Sequence, residues 1–168
     1  MQFEITHEFD IPLDALELAV ISPSLMQKLA QRLPNIESLQ EKEHVLKDGT
    51  LERLWSYRAN VRLPAFAKSY VTPEMMAWDE KSTYVIAKHR SDWTITPHVK
   101  PEWRKYFSAS GSYTLTNLAS GRTKRTVTGS IELRVPVFSK VVEKMIVGEV
   151  RKTFDAEAET LRDLATLV

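Results

Sequence analysis

The chain has no cysteine, and only 5 of its 168 residues are glycine. Without thiols there can be no disulfide, thiolate nucleophile or cysteine-ligated metal. So few glycines leave no loop that reads as a phosphate cradle. No apolar run reaches the roughly 18 residues that a membrane-spanning helix needs. The opening stretch carries Glu4 and Glu8 and does not read as a secretory signal. Charge of one sign is also missing: 23 Lys and Arg face 22 Asp and Glu, for a net charge of +1. That balance argues against a nucleic-acid-binding domain, which concentrates basic charge, and no nucleic-acid partner is expected. These absences fit a cytoplasmic protein. The length suits a single domain over residues 1–168, large enough to bury roughly two thirds of its unfolded surface.

What is present is alternation. In residues 2–9, Phe3, Ile5, His7 and Phe9 share one face and polar residues the other, which predicts a half-buried strand. Two short helices follow, one over the Leu13–Val20 region and one after Ser22-Pro23, carrying Leu25, Leu29 and Leu33. Residues 36–47 are irregular, but Asp48-Gly49 is a hairpin turn signal. Beyond it, Leu51, Arg53, Trp55, Tyr57, Ala59, Val61 and Leu63 fall on one face of a second strand of that pair. Residues 64–80 read as a short helix or loop and then a strand into Trp78. Further strands are expected over 82–89, 92–98, 108–118 and 122–135. Pro136 closes the strand phase.

From Val137 to about Leu167 the period changes. Phe138, Val142, Met145, Val150, Phe154 and Leu161 trace an apolar stripe with only Gly148 to interrupt it. A helix of this length would run about 45 Å and must lie across the sheet. Strands and helices do not alternate, which excludes a doubly wound fold.

This order resembles the START-like (Bet v 1-like, SRPBCC) superfamily. The nearest likeness is to an uncharacterised bacterial family, domain of unknown function 2505. The resemblance rests on residues 5–16 (ITHEFDIPLDAL), 63–71 (LPAFAKSYV) and above all 129–150, where Gly129, Val135, Pro136, Glu143 and Lys144 occupy typical positions. The family often has glycine shortly after this proline, where this chain has Phe138-Ser139-Lys140. The resemblance implies an α+β helix-grip fold, a curved antiparallel β-sheet wrapped around a long C-terminal helix. It also implies a small apolar or amphipathic ligand held between sheet and helix. The expected lining is Trp55, Tyr57, Trp93 and Tyr113 from the strands, and Val142, Met145 and Phe154 from the helix. Phe66 and Met76 sit in the segment by which a ligand would enter. His7, Arg53 or Tyr113 would orient it. Two alternatives remain open: a polyketide cyclase or dehydratase using the same cavity, and a co-chaperone-like protein-interaction module with the cavity filled.

No other chemistry stands out. None of the four histidines is spaced for a metal, and no GxSxG nucleophile turn occurs. No cofactor is expected. His89 near Asp92 suggests at most a turn-region dyad. The basic groups Arg53/Arg58/Arg62/Lys68, Arg122/Lys124/Arg125 and Lys88/Arg90/Lys100/Arg104/Lys105 read as solvated sheet faces, with contact to a membrane surface or acidic headgroup as the sharper reading. Gly129 reads as a packing or bulge position within its strand.

Overall fold

The computed structural model describes every residue except 61, 67, 70, 136–138 and 168. The elements are β1 (Gln2–Phe9), α1 (Leu13–Ile21), α2 (Leu25–Ala30), β2 (Ile36–Lys47), β3 (Thr50–Ala59), β4 (Ala77–Val85), β5 (Arg90–Pro97), α3 (Pro101–Arg104), β6 (Phe107–Leu118), β7 (Arg122–Leu133) and α4 (Ser139–Ala165). The strands form one seven-stranded sheet in the order β1-β7-β6-β5-β4-β3-β2, with every neighbouring pair antiparallel. The long helix α4 lies against β1, β7, α1 and α2. This is the α+β helix-grip architecture.

Local chemistry sets the boundaries. Asp48 and Gly49 both take positive φ, 50° and 72°, as a tight hairpin turn between β2 and β3 requires. β3 stops at Ala59, short of the expected Leu63, and Asn60 donates its backbone N–H to the Asn35 carbonyl instead. The expected strand over 82–89 is β4, which begins earlier and ends at Val85. A 3₁₀ turn at Ile86–Lys88 and a left-handed His89 (φ 48°) then carry the chain into β5. Val61, Pro136, Val137 and Phe138, read above as strand end, strand stop and helix start, lie outside the described residues.

The start of α4 is pinned by Glu143. One of its carboxylate oxygens accepts the Leu133 N–H at 2.9 Å, and the other is 3.2 Å from the Lys140 ammonium and 3.4 Å from the N-terminal ammonium. The Leu133 N–H above all, with Lys140 and the terminus adding, holds this carboxyl below its ordinary range. Lys144, the other half of the acidic-basic pair, is exposed.

The packed core is centred at one end of the molecule and extends through Trp55, Tyr57 and Tyr113 to Trp78. It joins Ile5, Phe9, Leu16, Val20, Leu25, Leu29, Leu51 and Tyr84 to Leu161 and Leu164 of α4. The short helices α1 and α2 cap this end. At the opposite end lie the described residues that follow β3, β5 and β7, among them 62–66, 71–76, 98–106 and 134–135, and the start of α4. That end is packed differently: Val142, Met145, Ile146, Val147 and Val150 are only half-buried, and Val141 is exposed. Among the described residues, no helix is long and apolar enough to cross a membrane.

Candidate functional site

The register aligns the inward-facing side chains in rows across the sheet. One row runs Glu41, Trp55, Glu80, Ile95. The next runs Arg53, Ser82, Trp93, Gly111, Gly129, Phe3. Tyr57 stands opposite Trp78, their rings stacked with centroids 5.2 Å apart. The glycines leave room for the Trp93 indole, which also meets Phe154 of α4 at 6.1 Å.

Helix periodicity gives the opposite wall. The Asn35 amide donates to Glu149 at 3.0 Å, which turns that side of α4 towards the start of β2. Met145, Ile146 and Val142 lie one and two turns earlier on the same side. Their apolar side chains are half-buried, and so are Trp78 and Ile95 of the sheet.

Arg53, Arg125, Glu157 and Glu80 bring ionisable groups inside this frame. Arg53 (4% exposed) and Arg125 (0%) are not on solvated faces, as their basic neighbours suggested; both point inward from their strands. Arg53 donates to the Val20 carbonyl at 3.1 Å, and its guanidinium lies 4.6 Å from the Trp55 ring centre. Its Nε is buried with no hydrogen-bond partner among the described residues, and so is the indole N–H of Trp93. Arg125 bonds Glu157 at 2.6 Å and the Phe154 carbonyl at 2.8 Å.

His7 completes that cluster. Its Nδ1 faces the Arg125 guanidinium at 3.3 Å and its Nε2 faces Asp155 at 2.8 Å. Burial and then Arg125 lower its pKa, so the ring is neutral, accepting from Arg125 and donating to Asp155. Both ring nitrogens are engaged, which leaves no polar atom of His7 for a ligand.

Glu80 is the group that sequence reasoning missed. It forms no hydrogen bond or ion pair among the described residues, and it is only half-buried. Burial in the first place, then repulsion from Glu157, push its pKa up to about 7, with Arg53 opposing. Burial, with Glu80 and Glu157 adding, also raises Tyr57, and burial pushes Tyr113 up to about 12. Both phenols therefore remain protonated donors. The concave face thus combines stacked rings, a carboxyl poised near neutrality and three buried N–H donors, on Arg53, Trp93 and Arg125, without partners among the described residues. These groups are more polar than the lining expected from the resemblance.

The other candidates are placed as follows. Trp55, Tyr57, Trp93 and Tyr113 are buried on the concave face. Phe66 is 39% exposed and Met76 half-buried in the connection before β4. Val142, Met145 and Phe154 are half-buried on α4. His89 pairs with Glu17 at 2.9 Å, not with Asp92, which Arg90 holds. Beside His89, a shallow concavity of about 310 Å³ is lined by Pro12, Leu13, Asp14, Glu17, Asn117 and Gly121.

The sequence profile of DUF2505, a protein family of unknown function, matches residues 4–164. The chain belongs to the DUF2505 family. Solved structures show that this DUF2505 protein shares its fold with distant proteins. The Zhui aromatase/cyclase from Streptomyces sp. R1128 superposes with a TM-score of 0.66 at 14% identity, covering 99% of this chain and 93% of that one. TTHA0849 from Thermus thermophilus gives 0.65 at 12% identity, over 99% and 98%. Norcoclaurine synthase from Thalictrum flavum gives 0.60 at 17% identity, over 95% and 86%. At these identities the likeness concerns the fold. No curated protein sequence matches this DUF2505 chain.

The Glu80 environment has a measurable consequence. The folded protein holds this proton up to about pH 7, whereas an unfolded carboxyl releases it near 4.5. Between those values the native state binds the extra proton, so this group makes stability fall as pH rises through the window. Glu80→Gln should flatten that part of the profile and raise the melting temperature more at pH 8 than at pH 5. Equal shifts at both pH values would refute the assignment.

Proposed function

We propose that this protein binds a small apolar or amphipathic ligand between the concave face of β3–β5 and the first half of α4. The observation that carries the reading is the contrast along α4. Its second half is buried in the core, whereas Val142, Met145, Ile146 and Val150 of its first half keep apolar surface unburied. A ligand covering these side chains would gain about 25 cal/mol per Å² of apolar area before entropic costs. The Arg53 Nε and the Trp93 indole N–H, buried without partners among the described residues, and the half-buried Glu80 supply polar recognition at its inner end, since a ligand that pairs with such groups is favoured.

Native mass spectrometry of the purified protein, with titration of an environment-sensitive apolar dye, tests this. Saturable one-site binding is expected. Met145→Glu should weaken dye binding about tenfold, the effect of placing a charge against an apolar contact. It should shift stability by no more than about 0.5 kcal/mol, as for a side chain outside the core. Absence of saturable binding by dye or lipid would overturn the proposal and favour a protein-interaction module.

One observation supports a second reading, acid–base chemistry on the bound ligand of the kind a cyclase or dehydratase performs. Glu80 titrates near neutrality and stands close enough to Glu157 and Arg53 to feel both charges. Under that reading Glu80→Gln abolishes turnover and leaves dye affinity unchanged. Under simple binding it alters affinity alone.

A further inference from the structure

Charge is unevenly distributed between the two ends of the molecule. The described residues of the connections and helix start at the open end, within 60–76, 98–106 and 134–144, include eight basic and three acidic ones. The whole chain is only +1, so the remainder is net negative. Two of the eight are neutralised locally, Arg134 by Glu132 at 2.9 Å and Lys140 by Glu143 at 3.2 Å. The other six, Arg62, Lys68, Lys100, Arg104, Lys105 and Lys144, are exposed and have no ion-pair partner among the described residues.

Large apolar side chains are exposed at the same end. Trp103 is 51% exposed, Val141 46%, Phe66 39%, Met75 38% and Tyr106 37%. Trp103 and Tyr106 stand with ring centres 5.8 Å apart, and the Lys105 ammonium lies 5.1 Å from the Tyr106 ring centre. Beside them Arg134 and Val135 complete a concavity of about 460 Å³. The backbone ties these segments together: the Arg134 N–H donates to the Tyr106 carbonyl, and Glu143 at the start of α4 accepts from Leu133.

We propose that this end docks on an anionic lipid bilayer. Two features select a bilayer over other acidic partners. Tryptophan and tyrosine flanked by lysine and arginine suit the headgroup layer, where a ring finds apolar surroundings and its polar edge stays wet. The basic side chains meanwhile meet the negative surface potential of acidic lipids. A nucleic acid would use the charge but gain nothing from Val141, Met75 and Phe66. Docking stands on the charge and the exposed rings, independently of any interior ligand. If the proposed ligand exists, docking would set its entry end against the membrane.

The test is co-sedimentation of the full chain with vesicles of phosphatidylcholine alone or mixed with phosphatidylglycerol. Tryptophan emission is followed in parallel. Binding to the mixed vesicles, absent from the neutral ones and weakened by salt, is expected, with a blue shift in emission. Combined Lys100→Glu, Arg104→Glu and Lys105→Glu should lower partitioning at least about a hundredfold, since each basic side chain near such a surface contributes about fivefold. Trp103→Ala should lower it about tenfold through lost apolar burial. Circular dichroism and dye binding, read on the same variants, show whether fold and interior site persist. Equal binding to both vesicle types, no binding to either, or undiminished binding by both variants would overturn the proposal. So would capture of a single-stranded oligonucleotide without capture of vesicles.

Discussion

Replacing Arg125 with methionine should cost about 3–5 kcal/mol of stability, as breaking a buried ion pair from one side does. Its guanidinium is fully enclosed and serves three partners at once: the Glu157 carboxylate, the Phe154 carbonyl and the His7 ring. Methionine fills much of the volume but leaves Glu157, itself 7% exposed, with no countercharge. A carboxylate so placed either stays ionised at high cost or takes up a proton. Adding Glu157→Gln to Arg125→Met should therefore recover a large part of the loss. That coupling distinguishes an electrostatic cause from simple loss of packing. Chemical denaturation of the two single variants and the double variant reads the cycle. A single variant within about 1 kcal/mol of the parent, or a double variant whose loss equals the sum of the singles, would contradict the account.

The positions of Arg53 and Arg125 show how far the sequence could be read. Both occupy inward parities of clean alternating strands, between Leu51 and Trp55 and between Thr123 and Val127. The pattern placed them correctly. Grouping them with nearby surface cations obscured it, because the charge of a residue says less about its facing than its parity does. β2 was harder to see for a local reason. Register shifts between Ile36 and Ser38 and between Glu41 and Glu43 interrupt its alternation, so an edge strand of twelve residues reads as irregular. The hairpin at Gly49, the long terminal helix and the order of elements were legible because each depends on contiguous residues. Glu80 was not. Its segment, Trp78 to Thr83, is mostly polar on both faces, and only pairing with Trp55 on one side and Ile95 on the other turns it inward. Cross-strand register is a property of the assembled sheet. So is the convergence of Glu80 with Glu157, which lie on different elements with β5, β6 and β7 between them in sequence.

The same sheet logic ranks the two strand glycines. A Cβ on Gly111 would lie 2.2 Å from the Thr128 carbonyl oxygen, 2.4 Å from the Trp93 ring and 2.8 Å from the Gly129 Cα. Two of these three obstacles are backbone of the neighbouring strand, which cannot rotate away. For a Cβ on Gly129 the nearest obstacles are rings, Phe3 at 2.5 Å and Trp93 at 2.8 Å. Rings can shift, so Gly129→Ala should cost about 1–3 kcal/mol, in the range of ordinary overpacking, and Gly111→Ala more than about 3 kcal/mol. Trimming the obstacle should separate them further. Phe3→Leu combined with Gly129→Ala should restore part of the loss, whereas Phe3→Leu should do nothing for Gly111→Ala. Because the Trp93 indole covers both glycines and reaches Phe154, these positions act on the floor of the groove through packing. Gly129→Val should accordingly lower the melting temperature without selectively removing dye binding by the fraction that remains folded. Thermal melts monitored by circular dichroism, with dye titration well below the transition, decide the matter: binding lost at an unchanged melting temperature would show that Gly129 acts on the ligand directly and not on the sheet.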